Sequence, residues 1–231
     1  MPSRLITTPN TSISENLESV ITRIRLASEA TGRNDDVTLV AVTKTLSEDP
    51  IKLALAAGQR TFGENRVQEA QAKWPSLKAS YSDIRLHLIG PLQTNKIRAA
   101  VSIGDVIETV DRPKVARALA IEIERSGRSP DCYVQINIGE EPQKSGVLPN
   151  EADDFIVECC RNFQLPVKGL MCIPPNGQEP SLYFALLRKI ARRNGLPRLS
   201  MGMSHDFETA IDFGSTEVRI GTAIFGARSS R

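Results

Sequence analysis

The chain is organised around a run of strand-forming residues that ends on a lysine: residues 37–45 read VTLVAVTKT. Apolar and β-branched residues in near-continuous order favour a strand buried on both faces, which is typical of a parallel sheet. Lys44 would then lie at the carboxyl edge of the sheet, where α/β folds place their chemistry. Partial desolvation lowers the pKa of an amine, and such a lysine can attack an aldehyde to form a Schiff base. The alternative is a lysine that simply ends the strand in solvent.

The composition is that of an ordinary globular protein. With 231 residues, 40% of them hydrophobic and 24% charged, the chain suits one domain, residues 1–231, with a full core. A net charge of +2 argues against a nucleic-acid partner, and no apolar run reaches the roughly 20 residues of a membrane span. Residues 1–6 lack the apolar core of a signal peptide. Four cysteines without a CxxC pair indicate reduced thiols and a cytoplasmic location, and two histidines are too few for a multi-histidine metal site.

Eight short strand patterns alternate with helical patterns along the chain, at the spacing of β/α units. An extra helix precedes them, and it is opened by a capping box at residues 12–15, Ser-Ile-Ser-Glu. Eight units in 231 residues predict a single (β/α)₈ TIM-type barrel with an extra N-terminal helix. A doubly wound open sheet is the alternative fold, and it is disfavoured because no G-x-G-x-x-G turn follows the first strand.

Capping and helix-breaking residues predict several boundaries. Asn65 is expected to cap a helix that Pro75 ends, and Ser204 is expected to cap a helix reaching residue 213. The seventh strand is expected at residues 199–203. Another helix is expected at residues 150–162.

In such a barrel the strand ends meet at one mouth, and the polar residues there form one candidate site. Gly221 and Thr222 open a helical turn after the last strand, where the backbone can approach an anion closely and offer free N–H groups. Ser204 adds a hydroxyl from the preceding loop. Barrels often bind phosphate with the loops after strands seven and eight, so these residues predict a phosphate site. The alternatives are a plain N-cap at Ser204 and a plain turn at Gly221.

Arg219 alternates with Ile220 on the last strand, and its side chain could enter the barrel mouth. A ring nitrogen or a carboxylate would satisfy it there. A structural salt bridge to Asp212 or Glu217 is the alternative. An amine for an aldehyde, a phosphate cradle and an arginine for a pyridine nitrogen together describe a pyridoxal 5′-phosphate (PLP) site.

Eight segments then carry a family resemblance in chain order: VAVTKT (40–45), FGENRVQE (62–69), HLIGPLQTNK (87–96), QIN (135–137), KSG (144–146), GLM (169–171), SMGMS (200–204) and GSTEVRIGTAIFG (214–226). On these segments the sequence resembles the pyridoxal phosphate homeostasis protein family, whose barrel is like the N-terminal domain of alanine racemase. The departures are Thr43, where the family usually has serine, and Cys172, where threonine is common.

The resemblance implies a single barrel that carries PLP on Lys44 as a Schiff base. It implies Asn65 near the cofactor ring and Arg219 at the pyridine nitrogen, with the phosphate held at the loops after strands seven and eight. The implied cofactor-binding residues are Lys44, Asn65, Met203, Ser204, Arg219, Gly221 and Thr222.

The choice between a carrier and an enzyme turns on a second base. Racemases with this barrel take that base, a tyrosine, from a C-terminal β-domain, which we expect to be absent because the chain ends shortly after residue 226. Tyr81, Tyr133 and Tyr183 offer no obvious replacement. An arginine at the ring nitrogen also weakens the electron sink, since two positive groups repel. We therefore expect a non-catalytic PLP-binding protein of cofactor homeostasis. A weak PLP-dependent amino-acid racemase is the alternative, and a barrel binding another phosphorylated metabolite is a third.

The missing domain contact favours a monomer, and PLP-dependent apo-enzymes are the expected recipients of the cofactor. Among the remaining candidates, His87 is expected to be a satisfied core histidine. Lys96 and Lys144 are expected to be solvated charges that could meet the cofactor during loading. Cys172, near the mouth, is a candidate reactive thiol.

Overall fold

The structure, a computed structural model, describes residues 12–32 and 36–226. Eight parallel strands close into a barrel in chain order, with the first strand paired to the last, Ala41 opposite Ile220. The strands are β1 Thr38–Val42, β2 Thr61–Glu64, β3 Arg85–Leu88, β4 Val106–Val110, β5 Asp131–Ile136, β6 Val167–Cys172, β7 Arg198–Ser200 and β8 Glu217–Ile220. The predicted (β/α)₈ barrel is confirmed, and closure excludes the open doubly wound sheet.

Each strand is followed by helical structure, and α1 precedes the first strand. The helices are α1 Ile13–Ala30, α2 Glu48–Ala56, α3 Val67–Ser80, α4 Ile97–Ile103, α5 Pro113–Ser126, α6 Ala152–Val157, α7 Ser181–Arg193, α8 Phe207–Asp212 and α9 Thr222–Phe225. A 3₁₀ turn, Thr94–Lys96, precedes α4, and a π-helical segment, Glu158–Asn162, continues α6. Among the helices of the described ranges, none is long and apolar enough to cross a bilayer. Residues 1–6, for which the sequence predicts no signal peptide, lie outside the described ranges.

The predicted capping box opens α1. The Ser12 N–H donates to Glu15 Oε2 at 2.8 Å, and the Glu15 N–H donates to Ser12 Oγ at 3.2 Å. Leu17, Val20 and Ile24 follow on one face and are buried, because α1 packs against α8 and α9. The extra helix therefore covers the part of the barrel wall that follows strands β7 and β8.

Apolar side chains fill two separate spaces. The main core lies between the strands and the surrounding helices, where Trp74 of α3 packs on Phe62 of β2 with ring centroids 5.0 Å apart. A smaller cluster, Val106, Tyr133 and Met171, is separate from that core, as expected for side chains that fill the barrel interior. The interior also holds the charged residues Glu108, Glu217 and Arg219, and Arg219 lines the candidate site.

Three predicted boundaries, two at α3 and one at β7, are wrong. Pro75 lies inside α3 and does not end it, since a proline in a helix removes one backbone bond while buried Trp74 and Leu77 hold this helix against the barrel. The N-cap of α3 is Arg66 in place of Asn65. The strand β7 ends at residue 200, three residues early.

The helix after β7 also begins later than predicted. Asp206, not Ser204, is the N-cap of α8, and its carboxylate accepts the Met203 N–H at 2.6 Å. Asp206 thus provides a negative charge at the start of the helix. Glu208 of the first turn also forms an exposed ion pair with Arg23 of α1. Ser204 is left in the loop between β7 and α8.

Candidate cofactor site

A cleft of about 230 Å³ opens at the carboxyl ends of the strands. Its walls include the apolar side chains Ile89, Ile173 and Phe225. All seven residues that the sequence nominates line this one cleft: Lys44, Asn65, Met203, Ser204, Arg219, Gly221 and Thr222. The structure therefore brings them together from four separate parts of the chain, and their role in holding a cofactor remains a prediction.

Lys44 lies in a turn beyond β1, because the strand ends two residues earlier than the sequence suggests. A second lysine holds this turn. Lys73 of α3 donates to the carbonyl oxygens of Thr43 at 3.1 Å and Leu46 at 3.2 Å, one on each side of Lys44. Its ammonium also lies 2.7 Å from the buried Glu64 carboxylate. Lys73 was not identified from the sequence, because no motif distinguishes it from the other charged residues of α3.

The same turn is fixed at two further points. Thr45 has φ 66°, a left-handed conformation that β-branched residues rarely adopt, and its N–H donates to Glu69 Oε2 at 3.0 Å. The Thr43 hydroxyl donates to Glu64 Oε1 at 2.7 Å, and the Trp74 indole donates to the same oxygen at 3.2 Å. Side chains from β2 and α3 thus determine how the backbone presents Lys44.

Asn65 is placed by a close approach of two loops. A Cβ atom at residue 90 would lie 2.1 Å from the Asn65 carbonyl oxygen, so only glycine fits at Gly90. The Ile89 N–H donates to the Glu64 carbonyl oxygen at 2.9 Å, which extends the pairing of β2 and β3 up to this contact. Asn65 therefore lines the cleft from a loop pressed directly onto its neighbour.

The predicted phosphate residues occupy two adjacent loops. Gly221 directly follows β8, and a Cβ atom there would lie 3.2 Å from the Val42 carbonyl oxygen, so the chain packs closely on the end of β1 at this point. Thr222 begins α9, whose first N–H groups have no partner within the helix. Met203 and Ser204 face them from the loop before α8. The arrangement offers backbone N–H groups and hydroxyls to an anion.

Arg219 enters the cleft from the barrel interior and is only 5% exposed. One terminal nitrogen donates to Ser200 Oγ at 2.7 Å, and the other donates to the Cys172 carbonyl oxygen at 2.7 Å. The carboxylate nearest to the guanidinium is Glu108, with Oε2 3.8 Å away. The alternative drawn from the sequence was a salt bridge to Asp212 or Glu217, and the structure places Glu108 beside Arg219 instead.

Glu108 is a fully buried carboxylate in the middle of β4. Its Oε2 accepts the Ser200 hydroxyl at 2.6 Å, and its Oε1 lies 2.6 Å from Nδ1 of His87. Burial alone would raise the pKa of Glu108, but the hydrogen bond from His87 and the charges of His87 and Arg219 outweigh it and lower that pKa. The sequence signal that was overlooked is a glutamate inside an otherwise apolar strand.

A second buried pair lies beside this network. The Tyr133 hydroxyl donates to Glu217 Oε1 at 2.6 Å, and Glu217 Oε2 lies 3.9 Å from His87 Nδ1. Burial raises the pKa of Glu217, and the neighbouring Glu108 acts in the same direction. His87 lies in the core as expected, but it is satisfied on one side alone: Nδ1 contacts Glu108, and the buried Nε2 has no hydrogen-bond partner among the described residues. The polar interior thus contains two acids with opposite pKa shifts.

Cys172 is not a reactive thiol. Its side chain is fully buried at the end of β6, and burial raises its pKa to about 12, so the thiol stays protonated. All four cysteines are free, in agreement with the predicted reduced state. Cys160 is the exposed one.

The other candidates lie around the cleft. Lys144 pairs with Glu141, donates to the Pro174 carbonyl oxygen at 3.1 Å and lines a hollow next to the cleft, so it is not simply a solvated charge. Lys96 ends the 3₁₀ turn before α4. His205, the residue after Ser204, also lines the cleft and is exposed.

The three tyrosines all fall in the described ranges, and none lines the cleft. Tyr133 points into the barrel interior, and burial together with Glu217 raises its pKa far above the usual range. Tyr81 lies under the guanidinium of Arg60, and Tyr183 bonds to a glutamine on the surface. None of the three tyrosines is therefore placed at the cleft wall with Lys44.

Comparison with known proteins places this site in a family. The family described as "Alanine racemase, N-terminal domain" matches residues 16–229. A pyridoxal phosphate homeostasis protein of Pseudomonas aeruginosa is 41% identical over 225 residues, which cover 94% of this chain and 96% of that protein. One from Vibrio alginolyticus is 38% identical over 228 residues, covering 94% of this chain and 98% of that protein.

A solved structure agrees. PipY of Synechococcus elongatus, determined with PLP bound, is 35% identical and superposes with a TM-score of 0.81, covering 93% of this chain and all of that one. Its structure without PLP gives a TM-score of 0.84 at 36% identity, with the same coverage of both chains. The chain therefore belongs to the alanine racemase N-terminal-domain family, among the pyridoxal phosphate homeostasis proteins.

Proposed function

We propose that this protein binds PLP, holds it as a Schiff base on Lys44 and releases it, and that it serves PLP homeostasis without turning over amino acids. The observation that carries the proposal is the convergence of Lys44, Arg219 and the Gly221–Thr222 turn on one cleft. The relatives named above are pyridoxal phosphate homeostasis proteins, and PipY binds PLP with a superposable barrel.

The donor set of the cleft fits PLP. When bound, PLP supplies an aldehyde that condenses reversibly with an amine and releases water, and Lys44 provides an amine at the cleft wall. Ser204, Gly221 and Thr222 would hold the phosphate with N–H and hydroxyl groups, and Met203, whose N–H is donated to Asp206, would line the cleft beside it. Asn65 would lie beside the ring.

Arg219 would occupy the ring-nitrogen position. A guanidinium has five N–H donors, and two of its nitrogens are engaged by Ser200 and Cys172, which leaves further donors for the cleft. Arginine stays charged, so it disfavours a second positive charge on a neighbouring ring nitrogen. An unprotonated ring withdraws electrons less strongly, which supports a holding role over a catalytic one.

The second candidate function, a weak amino-acid racemase, needs a second base at the cleft. The tyrosines of the described ranges lie elsewhere, with Tyr133 committed to Glu217 in the interior. The proposal therefore assigns no catalytic residue. Purified protein carrying PLP should show no α-proton exchange on a panel of amino acids. Exchange at about 1 per second, an ordinary enzyme rate, would establish the racemase instead.

The covalent site has a direct test. The protein is loaded with PLP, reduced with borohydride, digested and analysed by mass spectrometry, and the pyridoxyl group is expected on the peptide containing Lys44. Lys44→Ala should lose the visible absorption band of the adduct, while the matched control Lys96→Ala should keep it. A band that survives in Lys44→Ala, or an adduct on another lysine only, would contradict the assignment.

We further propose a cytoplasmic monomer that passes PLP to apo-enzymes. The four free thiols are consistent with a reducing compartment. Sedimentation of the loaded protein should give the mass of one chain, 25.3 kDa. In the presence of a reagent that traps free PLP, loaded protein should restore the activity of a PLP-dependent apo-enzyme faster than the same amount of free PLP does.

A further inference from the structure

The interior of the barrel contains a chain of polar contacts that ends on Arg219. His87 contacts Glu108, Glu108 accepts from Ser200, and Ser200 accepts from Arg219, each link being 2.6 or 2.7 Å long. Only Arg219 of these four lines the cleft. We propose that Glu108 is a positioning residue for Arg219: acting through the Ser200 hydroxyl, it fixes the guanidinium so that Arg219 meets the ring nitrogen of bound PLP and keeps that nitrogen unprotonated. This inference rests on the proposed function.

The direction of each hydrogen bond follows from the chemistry of the partners. Arginine carries donors only, so Ser200 Oγ must accept from Arg219. The Ser200 proton is then available to Glu108, whose oxygen lies 2.6 Å away and accepts it. The short contact to Nδ1 of His87 uses the other carboxylate oxygen. Glu108 therefore engages both carboxylate oxygens, one accepting from Ser200 and one contacting His87, and a glutamine in its place removes the negative charge that faces Arg219.

The charge of Glu108 is as important as its geometry. Arg219 is 5% exposed and Glu108 is fully buried, and a buried cation without a nearby anion is strongly disfavoured. Glu108 Oε2 lies 3.8 Å from the guanidinium. The Cys172 carbonyl oxygen fixes the second terminal nitrogen. Together these partners hold both terminal nitrogens of the guanidinium at the wall of the cleft.

The neighbouring pair provides a matched control. The Tyr133 hydroxyl makes an equally short, equally buried hydrogen bond to Glu217 in the same interior, and this bond does not involve Arg219. Tyr133→Phe removes one buried hydroxyl next to a buried acid, as Ser200→Ala does. If the polar interior serves stability alone, both variants should behave alike toward PLP.

The test uses the full chain loaded with PLP whose ring nitrogen carries an isotope label for NMR. Glu108→Gln and Ser200→Ala are expected to move the ring-nitrogen resonance toward the protonated position. They are also expected to raise the dissociation constant for PLP by about 10-fold or more, as loss of a hydrogen bond to a charged group does. Tyr133→Phe should leave the resonance in place and the constant within about two-fold. Ser200→Thr, which keeps the hydroxyl, should restore the unmutated behaviour and remains informative if Glu108→Gln does not fold.

The outcomes separate this inference from the proposed function. If the unmutated protein takes up no PLP on Lys44, the proposed function fails. If it takes up PLP and the Ser200→Ala protein keeps the original resonance and affinity, the positioning role of Glu108 is wrong while the proposed function stands. Equal losses in Ser200→Ala and Tyr133→Phe would also overturn the positioning role, because they would show a general effect of the polar interior.

Discussion

Replacing Lys73 with methionine is expected to destabilise the protein and to loosen the turn that carries Lys44. The Lys73 ammonium has three partners, the Glu64 carboxylate at 2.7 Å and the carbonyl oxygens of Thr43 and Leu46 at 3.1 and 3.2 Å. Methionine fills a similar volume with no donor. The substitution therefore leaves a buried carboxylate and two carbonyl oxygens without their shared cation.

The magnitude follows from burial. The Glu64 side chain is fully buried and that of Lys73 is 11% exposed, and breaking such a pair by removing one partner costs about 3–5 kcal/mol. The Thr43 hydroxyl and the Trp74 indole still donate to Glu64, so we expect the lower end, about 3 kcal/mol. The double variant Glu64→Gln/Lys73→Met removes the uncompensated charge and should recover about half of that loss.

Urea unfolding of the protein without PLP measures this loss as a lower midpoint at an unchanged slope. Lys78→Met is the matched control, because Lys78 lies in the same helix and binds the Asp105 carboxylate and a backbone carbonyl but is more exposed, at 22%. We expect it to cost about 1 kcal/mol. A Lys73→Met cost below about 1 kcal/mol, or no greater than that of Lys78→Met, would refute the reasoning. In the loaded protein, Lys73→Met should also release PLP faster than Lys78→Met does.

Three further predictions concern the buried acid, the thiols and the close loop contact. Because burial raises the pKa of Glu217, the folded chain binds its proton more tightly than the unfolded chain, and this group's contribution to stability falls as the pH rises above the ordinary value of 4.5. Glu217→Gln removes that dependence, so its unfolding free energy relative to the unmutated protein should improve between about pH 4 and pH 7, measured in urea. A maleimide should label Cys160 in the folded protein and Cys172 only after unfolding, which mass mapping can check; early labelling of Cys172 would contradict its burial. Gly90→Ala forces a Cβ to within 2.1 Å of the Asn65 oxygen and should cost about 3 kcal/mol in a thermal scan and weaken PLP retention; a neutral effect would show that the loops can separate.

The sequence was sufficient for the architecture because each β/α unit has a local pattern. Short apolar strands at regular intervals, separated by helical periods, determine the barrel without reference to contacts between distant residues. The residues around the cleft could also be predicted, since strand ends in a closed parallel barrel meet at one face. This is why Lys44 and Thr222, near opposite ends of the chain, could be assigned to one site before the structure was known.

The boundaries were less predictable, because tertiary packing overrides local preference. Pro75 breaks isolated helices, yet α3 continues through it under the packing of Trp74. Ser204 is a good N-cap by type, but Asp206 occupies that position and binds back to Met203. Capping residues that follow one another closely compete, and the sequence alone does not decide which one begins the helix.

The polar interior was missed for a different reason. Glu108 and Ser200 are 92 residues apart in the chain, so no local pattern joins them. Taken singly, each residue can be interpreted without a partner network, as His87 was when it was expected to be a core histidine. The clue available was chemical: a glutamate at the centre of a fully buried strand requires partners, and those partners must come from other strands across the barrel.

The polar groups inside the barrel come from several strands, and this affects how the barrel assembles. Strands β3, β4, β5, β7 and β8 each contribute at least one polar group to the interior, among them His87 and Glu108. A strand displaced by one residue along its neighbour would exchange its inward and outward side chains. Such a slip in β4 would drive the Glu108 carboxylate into the apolar layer beneath the helices and leave its partners unsatisfied. A misaligned barrel therefore loses the buried polar contacts in addition to some backbone hydrogen bonds. The charged interior thus disfavours incorrect strand pairing during folding.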